Sequence, residues 1–254
     1  MFFDTHAHLH YGNFDPDREE MIQRAEAAGV SYFLNVGTDL VSTRASLQLA
    51  ETHANIWAAG GIHPNDAAKA VETDFSALEE LMGHPWMVAV GEVGLDFYRE
   101  HSPLSIQRDV FRRFIDLALR VSKPLVIHCR DAYGAVEEML KTIQPDGYRG
   151  VMHCFSSDQA DMQKFLDLGF HISFAGPLSY KKNEGLRAAC AACPKDRLLL
   201  ETDAPFLPPQ TVRGQRNESA YMLETAAVMA GLHGLTLSEL AGLTTANARQ
   251  LFGL

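Results

Sequence analysis

Short apolar runs, rich in β-branched and aromatic residues, alternate along the chain with stretches in which apolar residues recur every three or four positions. The first pattern predicts buried β-strands and the second predicts amphipathic helices. "PDREEMIQRAEAAG" from Pro16 and "QRDVFRRFIDLALRVS" from Gln107 are typical of the helical stretches. The predicted strands are FFDTH (2–6), YFLNVG (32–37), IWAAGG (56–61), MVAVGE (87–92), PLVIHC (124–129), GVMHCF (150–155), HISFAG (171–176) and RLLLETD (197–203).

Eight predicted strands that alternate with helices in 254 residues predict a (β/α)8 TIM barrel, a fold that typically takes ~250 residues. A doubly wound open sheet is the alternative, but such a sheet usually has a glycine-rich turn after its first strand. Here the first predicted strand leads into "THAHLHYGN". Because no linker, charge block or low-complexity segment interrupts the pattern, we expect residues 1–254 to form one barrel domain.

Residues that can bind a metal ion follow the ends of several predicted strands. Side chains alternate along a strand, so Asp4, His6 and His8 are expected on one face. The carboxyl ends of barrel strands meet at one rim, where the catalytic residues of such enzymes lie. His171 begins its strand and belongs to the opposite rim. The residues expected at the catalytic rim are His6, His8, His63, Glu92, His128, His153 and Asp203.

The number of these ligands exceeds what one tetrahedral zinc ion takes. Four histidines and two carboxylates instead suit two divalent ions ~3.5–4 Å apart, bridged by one carboxylate. Glu92 is the predicted bridge, because its strand lies between the others. One ion would bind His6, His8, Glu92 and Asp203, and the other would bind Glu92, His128 and His153. Mixed imidazole and carboxylate ligation favours Zn, Mn, Fe, Co or Ni and leaves Mg possible.

The cysteines are expected to have other roles. Cys129 and Cys154 directly follow His128 and His153, so strand alternation predicts that their thiols point outward to the helices. The pair Cys190 and Cys193 has the spacing of a metal or redox motif, but it stands without a second pair, and we expect packing or chance to explain it. Glu201 shares a face with Asp203 one layer deeper, where it is expected to orient a ligand.

Composition narrows the candidate substrates and the compartment. The formal charge of −10 argues against a general nucleic-acid coat, which needs a basic surface. It leaves room for an enzyme that binds phosphate through metal ions, because those cations dominate the local charge. No apolar run approaches the ~20 residues of a membrane span. Four cysteines and a start that does not resemble a secretory leader predict a cytoplasmic protein.

Motifs along almost the whole chain give it a family resemblance. In order they are DTHAH, GIHP, GEVGLDFY, HCRDA, HCFS, LLLETDAPFLPP, RGQRN and TTANARQLF, from about residue 3 to residue 252. Their order and spacing resemble those of the TatD family of metal-dependent deoxyribonucleases, which belongs to the amidohydrolase-like barrel superfamily. The HxH pair alone is shared by many hydrolases, whereas GEVGLDFY, HCF and ETDAPFLPP together are specific.

The resemblance implies roles for individual positions of this chain. The family's metal ligands fall on His6, His8, Glu92, His128, His153 and Asp203. His63, in the GxHP motif, is implied to contact the substrate phosphate or to help in proton transfer. Ser219 stands where relatives often have proline, and we expect only a small change in loop stiffness there.

The implied activity is that of a 3′-5′ exodeoxyribonuclease. A hydroxide activated by two divalent ions would attack phosphorus, with Glu92 as the bridge and Asp203 as general base. His63 would contact the scissile phosphate. Arg130, next but one to His128, is the favoured phosphate-binding residue among the basic residues of the predicted rim loops. The others are Lys181, Lys182, Arg213 and Arg216.

Two alternative functions stay open at this point. A D-aminoacyl-tRNA deacylase, or another metal-dependent ester hydrolase, would use the same activated hydroxide on a different bond. A binding or scaffold protein without turnover is disfavoured by the complete ligand set. The sequence pattern indicates neither an aromatic stacking platform nor a basic groove. The sequence therefore does not distinguish DNA from a tRNA-linked ester as the substrate. We infer no membrane association and no obligate protein partner.

Overall fold

A computed structural model describes residues 1–99, 101–143 and 149–254 of the chain. Within these residues, eight parallel strands pair in chain order in one sheet, which confirms the predicted TIM barrel. The strands are β1 (Phe2–Ala7), β2 (Val30–Val36), β3 (Ile56–Gly60), β4 (Met87–Asp96), β5 (Leu125–Arg130), β6 (Gly150–Met152), β7 (His171–Phe174) and β8 (Leu198–Leu200).

Helices connect the strands and cover the outside of the barrel. They are α1 (Arg18–Ala27), α2 (Leu40–Thr52), α3 (Glu72–Leu81), α4 (Leu104–Val121), α5 (Tyr133–Ile143), α6 (Gln159–Asp167), α7 (Glu184–Ala192), α8 (Met222–His233) and α9 (Leu237–Phe252). The two helical stretches singled out in the sequence correspond to α1 and α4. In α4 the buried positions Val110, Phe111, Phe114 and Ile115 recur at the spacing of one helix face, which packs against the strands.

The first and last strands meet and bring the two ends of the chain together. The amide of His8 donates to the carbonyl of Ala204 at 2.8 Å, and the amide of Asp203 donates to the carbonyl of His6 at 2.9 Å. Ala7 and Ala204 form a parallel bridge between these hydrogen bonds. The closure therefore places metal-binding residue types from opposite ends of the sequence beside each other at the carboxyl ends of the strands.

The amino end of the barrel is filled by apolar side chains. Val126 and Leu199, which share strand faces with His128 and Glu201, belong to one buried cluster with Leu251 and Phe252 of α9. The cluster also includes Phe3, whose ring lies 5.6 Å from Trp57 and 6.1 Å from Phe252 between centroids. Burying a side chain of this size contributes about 1.5–3 kcal/mol. The amino end of the barrel is therefore apolar, whereas its carboxyl end carries the polar residues of the rim.

Within the described ranges, no single helix is long and apolar enough to cross a membrane. A pair of segments bent by 99°, Ser219–His233 and Leu237–Phe252, has the length and composition of a broken span. The prediction that residues 1–254 form one domain stays a prediction.

Candidate metal centre

Glu92 lies at a bulge inside β4. The sequence placed the end of this strand at Glu92, which is wrong, because β4 continues to Asp96 alongside β5. Val90 pairs with Leu125 and Val93 with Ile127, so β4 carries one extra residue between these pairs. Such a bulge re-aims a side chain locally. Here the Glu92 carboxylate, which is 3% exposed, lies among the histidines of the rim.

Two glycines in the GEVGLD motif allow β4 to approach β5 closely. Gly91 has φ of 154°, and a Cβ there would lie 2.5 Å from the carbonyl oxygen of Val126. Gly94 has φ of 143°, and a Cβ there would lie 2.0 Å from the carbonyl oxygen of His128. Both positions require glycine for conformation and for space. They keep the strand that carries Glu92 beside the strand that carries His128.

One oxygen of Glu92 faces the residues from the two ends of the chain. Glu92 Oε2 lies 3.4 Å from His6 Nε2 and 3.8 Å from His8 Nε2. Asp203 Oδ1 lies on the same side, 3.8 Å from His6 Nε2 and 3.4 Å from His8 Nε2. His8 Nδ1 lies 2.7 Å from the carbonyl oxygen of Val36, to which it must donate. This fixes the tautomer and leaves the lone pair of His8 Nε2 directed at the carboxylates.

The other oxygen of Glu92 faces a second group of imidazoles. Glu92 Oε1 lies 2.9 Å from His128 Nδ1, 3.1 Å from His153 Nε2 and 3.4 Å from His63 Nε2. These side chains come from β5, from the residue after β6 and from the loop after β3. We call the group of His6, His8 and Asp203 side one, and the group of His63, His128 and His153 side two.

Two further carboxylates face the ring nitrogens of His128 and His153 that point away from Glu92. Asp96 Oδ2 lies 3.3 Å from His128 Nε2, and Glu201 Oε1 lies 3.1 Å from His153 Nδ1. Carboxylates in this position orient a metal-binding imidazole and raise its basicity. Glu201 was expected in this role from the sequence, whereas Asp96 was missed. Its role could not be read from the sequence, because it depends on β4 continuing past Glu92 alongside β5.

The site keeps its carboxylates ionised. Burial alone would raise the pKa of Glu92, but His153, His63 and His128 lower it well below its usual value. Burial would likewise raise the pKa of Asp203, which His8, His153 and His6 instead lower. Burial would lower the pKa of His153, but Glu92 and Glu201 raise it well above its usual value. Buried carboxylates at this density stabilise positive charge at the rim.

His6 provides the test of whether these residues fit a metal ion. Its side chain is fully buried, and among the described residues neither ring nitrogen has a hydrogen-bond partner. A buried nitrogen without a partner costs about 1–3 kcal/mol. His6 Nε2 is directed at the carboxylates of Glu92 and Asp203, so a cation between them would satisfy it. The donor set therefore fits divalent cations of the kind that imidazole and carboxylate bind together.

Three groups in the described part of the chain have ligand atoms close enough to hold an ion, and the first two share His6. They are His6, His8 and Asp203; His6, His153 and Glu201; and His63, Glu92 and His128. The structure thus gathers every residue proposed from the sequence as a ligand around Glu92. That these residues bind metal stays a prediction.

His63 differs from its neighbours in its tautomer. It lies at the start of the 3-10 helix Pro64–Lys69, and its Nδ1 accepts a hydrogen bond from the amide of Asn65 at 3.1 Å. The proton of the neutral ring must then lie on Nε2, the atom that faces Glu92. In this state His63 is a hydrogen-bond donor into the site and not a metal ligand. Burial has the largest effect on the pKa of His63 and lowers it, and neighbouring His128 lowers it further. Glu92 opposes this shift, but the neutral form of His63 is favoured.

Arg130 lies at the end of β5, with an exposed side chain. Its guanidinium carbon lies 4.0 Å from the centroid of the Tyr98 ring. Stacking on an aromatic face holds a guanidinium in place while its N–H groups stay available. The position suits a phosphate contact beside side two.

The strand alternation on which the expectation for the two rim cysteines rests applies to Cys129 in β5 but not to Cys154, which lies outside β6. Cys129 packs in the core cluster with Val136 and Leu140 of α5. Cys154 lies two residues beyond the end of β6 with φ of 44°, so strand alternation does not apply to it. It is half-buried, and burial together with the charges of Asp203 and Glu201 raises its pKa well above the usual value. Burial also raises the pKa of Cys129, so both thiols are protonated at neutral pH.

A buried network behind side one also departs from expectation. Asp4 is fully buried and accepts from the hydroxyl of Thr202 at 2.6 Å and from the hydroxyl of Ser219 at 2.7 Å. The amide of Thr202 donates to Asp4 as well, at 3.0 Å. Burial raises the pKa of Asp4 to about 7, although these hydrogen bonds oppose the shift. Ser219, for which only loop stiffness was expected, thus helps to fix the residue that precedes Asp203.

Comparisons with known proteins bear on the same residues. A sequence model described as TatD related DNase matches residues 3–253. The uncharacterized metal-dependent hydrolase YabD of Bacillus subtilis (strain 168) is 40% identical over 252 residues, which cover 99% of each chain. The 3′-5′ ssDNA/RNA exonuclease TatD of Erwinia amylovora is 36% identical over 258 positions, covering 99% of this chain and 100% of that protein. The crystal structure of YJJV, a TatD homolog from Escherichia coli K12, superposes with a TM-score of 0.94 at 30% identity, covering 100% of this chain and 98% of that one.

Proposed function

This chain belongs to the family of TatD-related DNases and is a metal-dependent hydrolase, and from that premise we propose that it removes nucleotides from the 3′ end of single-stranded nucleic acid. The relatives named as 3′-5′ ssDNA/RNA exonucleases match this chain over 99% of its length. They support a nucleic-acid substrate, and the site supports hydrolysis of its phosphodiester bonds.

The observation that carries the proposal is the division of ligands around one carboxylate. Glu92 directs Oε2 to side one and Oε1 to side two. A carboxylate whose two oxygens face separate ligand sets has the arrangement of a bridge between two cations. We therefore propose two divalent cations per chain, of Zn, Mn or Mg, one on each side of Glu92. His6, His8 and Asp203 would hold the first, and His128 and His153 the second.

The protein's own residues divide the chemical work. When bound, the cations would supply a water of lowered pKa and would offset charge on the phosphate oxygens. Asp203 is ionised and its side chain is 13% exposed, so it is placed at the mouth of the site to accept the proton of the attacking water. The leaving group is the 3′ oxygen of the preceding nucleotide. Glu92 would bridge side one and side two.

The substrate phosphate would be positioned by residues that are not ligands. His63 carries its proton on Nε2 and can donate it to a phosphate oxygen in a hydrogen bond. Arg130, held on the Tyr98 ring, can donate to the same phosphate or to its neighbour along the strand. Both residues act by binding and orientation, which raises the rate because the reacting atoms are held in place.

Turnover of two substrates by the same preparation tests the proposal. A 5′-labelled single-stranded DNA and a D-aminoacyl-tRNA would be incubated with the protein and with Mg²⁺, Mn²⁺ or Zn²⁺ in turn. We expect stepwise shortening of the DNA from its 3′ end and loss of that activity after chelation. Release of the D-amino acid without shortening of DNA would contradict the proposal and would favour an ester hydrolase that uses the same cations.

We also propose a cytoplasmic location and a single barrel domain over residues 1–254. The cysteine content supports the first, because free thiols are typical of a reducing compartment. The pairing of strands from Phe2 to Leu200 in one sheet supports the second.

A further inference from the structure

Phe206 presents an exposed aromatic face beside the metal-binding residues. Its side chain is 48% exposed, although it lies only three residues after Asp203. Its backbone is fixed at both polar groups, since its amide donates to the carbonyl of Asp203 at 2.8 Å and its carbonyl accepts from Asn217 Nδ2 at 2.7 Å. The ring is therefore held at the mouth of the site and is not carried on a free loop.

Other rings continue from Phe206 down to a ligand of side one. Its centroid lies 6.1 Å from that of Tyr11, with the planes at 80°, and 5.9 Å from that of His8, with the planes at 69°. Tyr11 and His8 stack on each other at 4.7 Å with their planes 14° apart. Phe206 thus packs at a steep angle against two supported rings, and nearly half of its side chain stays exposed and available to another planar group.

An arginine flanks this platform. The hydroxyl of Tyr180 donates to the carbonyl of Pro208 at 2.9 Å, which places Tyr180 beside the segment that carries Phe206. The guanidinium carbon of Arg213 lies 4.4 Å from the Tyr180 ring centroid, and its side chain is exposed. In a chain of net charge −10, an arginine held beside an exposed aromatic ring complements a group that combines a planar apolar face with an anion. A nucleotide has both features, because its base has a π-face and its sugar carries a phosphate.

We propose that Phe206 stacks on the 3′-terminal nucleobase of the strand, with Tyr11 supporting the ring and Arg213 placed for the adjacent phosphate. The inference rests on the proposed exonuclease function, and it identifies the contact by which the enzyme would select its substrate. A base already paired and stacked within a duplex must first be displaced to reach Phe206, so the platform favours unpaired 3′ ends. It also predicts tolerance of base identity, because stacking does not read hydrogen-bonding groups.

Two oligonucleotides that differ only at the 3′ end test the platform. One ends in an adenine nucleotide and the other in a tetrahydrofuran abasic residue, and kcat/KM for release of the last residue is measured with Mn²⁺ present. For Phe206→Leu, which keeps apolar bulk but loses the π-face, we expect about a tenfold to hundredfold loss on the adenine end. We expect no loss on the abasic end. Phe206→Trp should retain the preference of the wild type.

Tyr98→Leu is the matched control. Tyr98 is also an exposed aromatic residue of the rim, at 62%, but Arg130 covers its face. Its replacement should affect both oligonucleotides equally. Metal content and thermal unfolding of each variant separate a lost base contact from a disturbed His8.

An equal loss on both ends for Phe206→Leu, or no loss at all, would overturn the inference while leaving the exonuclease function in place. A wild type that shortens neither oligonucleotide would overturn the proposed function and this inference with it.

Discussion

The two sides of Glu92 reach similar ligand chemistry by different means. Side one takes its residues from the end of β1, from the residue that follows it and from the segment after β8, so it forms only where the barrel closes. Side two takes its ligands from β5 and the end of β6, inside the run of the sheet. Side one places a second carboxylate, Asp203, directly among the ligands, whereas side two has its additional carboxylates behind the imidazoles.

This difference separates two tasks. A carboxylate at the mouth can exchange a proton with the substrate's environment, while carboxylates behind imidazoles can only strengthen and orient them. Side one is therefore expected to handle the proton, and side two to hold its cation firmly and present charge to the phosphate. The comparison makes distinct predictions for variants on each side and for the residue that joins them.

Glu92→Gln removes the negative charge that faces both sides and should cause the largest loss of activity. The amide keeps the shape but loses the charge that faces both ligand sets, so both cations should bind weakly. Two-metal stabilisation of charge is worth several kcal/mol, and we expect turnover to fall by about 10³-fold or more. Metal analysis of the purified variant checks this, with circular dichroism as a control for folding. Two tightly bound ions in this variant would show that Glu92 is not the bridge.

Asp203→Asn should affect side one alone. Loss of a general base costs typically about 10²–10⁴-fold in rate. We expect most of this loss in kcat, because the substrate contacts proposed for His63 and Arg130 would remain. The second cation should still bind, which metal titration would show. A variant that degrades DNA at close to the wild-type rate with normal metal content would exclude Asp203 as the base.

His63→Gln should reduce activity without reducing metal content, even though His63 lies on side two. Its tautomer makes it a donor, and a hydrogen bond to a charged group contributes about 1.5–3 kcal/mol, which corresponds to about 10–150-fold in kcat/KM. His128→Asn is the matched comparison, since it removes a ligand from the same side. If His63→Gln lost the second cation as completely as His128→Asn, His63 would be a ligand and its assigned tautomer would be wrong.

Asp96→Asn tests the support behind side two. Removing an outer carboxylate of this kind typically costs about 10–100-fold in metal affinity. Titration of the metal-free protein should show weaker binding of one ion, with the other unchanged. Asp167→Asn, at an exposed position at the end of α6, is the control for loss of an aspartate elsewhere. Weakening of both ions to the same degree would mean that the two sides are not supported independently.

Sequence reasoning reached the barrel and the identity of the rim residues because both follow from local pattern. Alternation predicted one face for Asp4, His6 and His8, and His6 and His8 do face Glu92 together. Asp4 was placed wrongly, because the register of β1 shifts between Asp4 and Ala7 and the Asp4 carboxylate instead accepts from Thr202 and Ser219. The bulge at Glu92 was not predictable in this way, because it depends on how close β4 and β5 come. The same limit explains Cys154, because β6 ends at Met152, three residues earlier than the predicted end of the strand at Phe155.

The exposed rim was the least predictable part of the site. Phe206 and Arg213 are separated from their partners Tyr11 and Tyr180 in sequence, so their pairing appears only when the loops are folded. Asp96 belongs to the same class, since its contact with His128 depends on the register of β4 and β5. Ligand type was visible along the chain, whereas support and substrate contact required the three-dimensional arrangement.

Ser219→Ala tests the support behind side one and should have the smallest effect. The change removes one of the hydroxyls that donate to the buried carboxylate of Asp4, while Thr202 still donates twice. We expect the free energy of unfolding to fall by about 1–2 kcal/mol, measured by urea denaturation, because a hydrogen bond to a buried acid is lost. Metal affinity of side one should change little, since Thr202 keeps the segment before Asp203 in place.

Ser76→Ala, on the outside of α3, is the control and should leave stability nearly unchanged. If Ser219→Ala instead released the first cation without loss of stability, the network behind side one would be tuning its ligands electrostatically, and the contrast with side two would disappear.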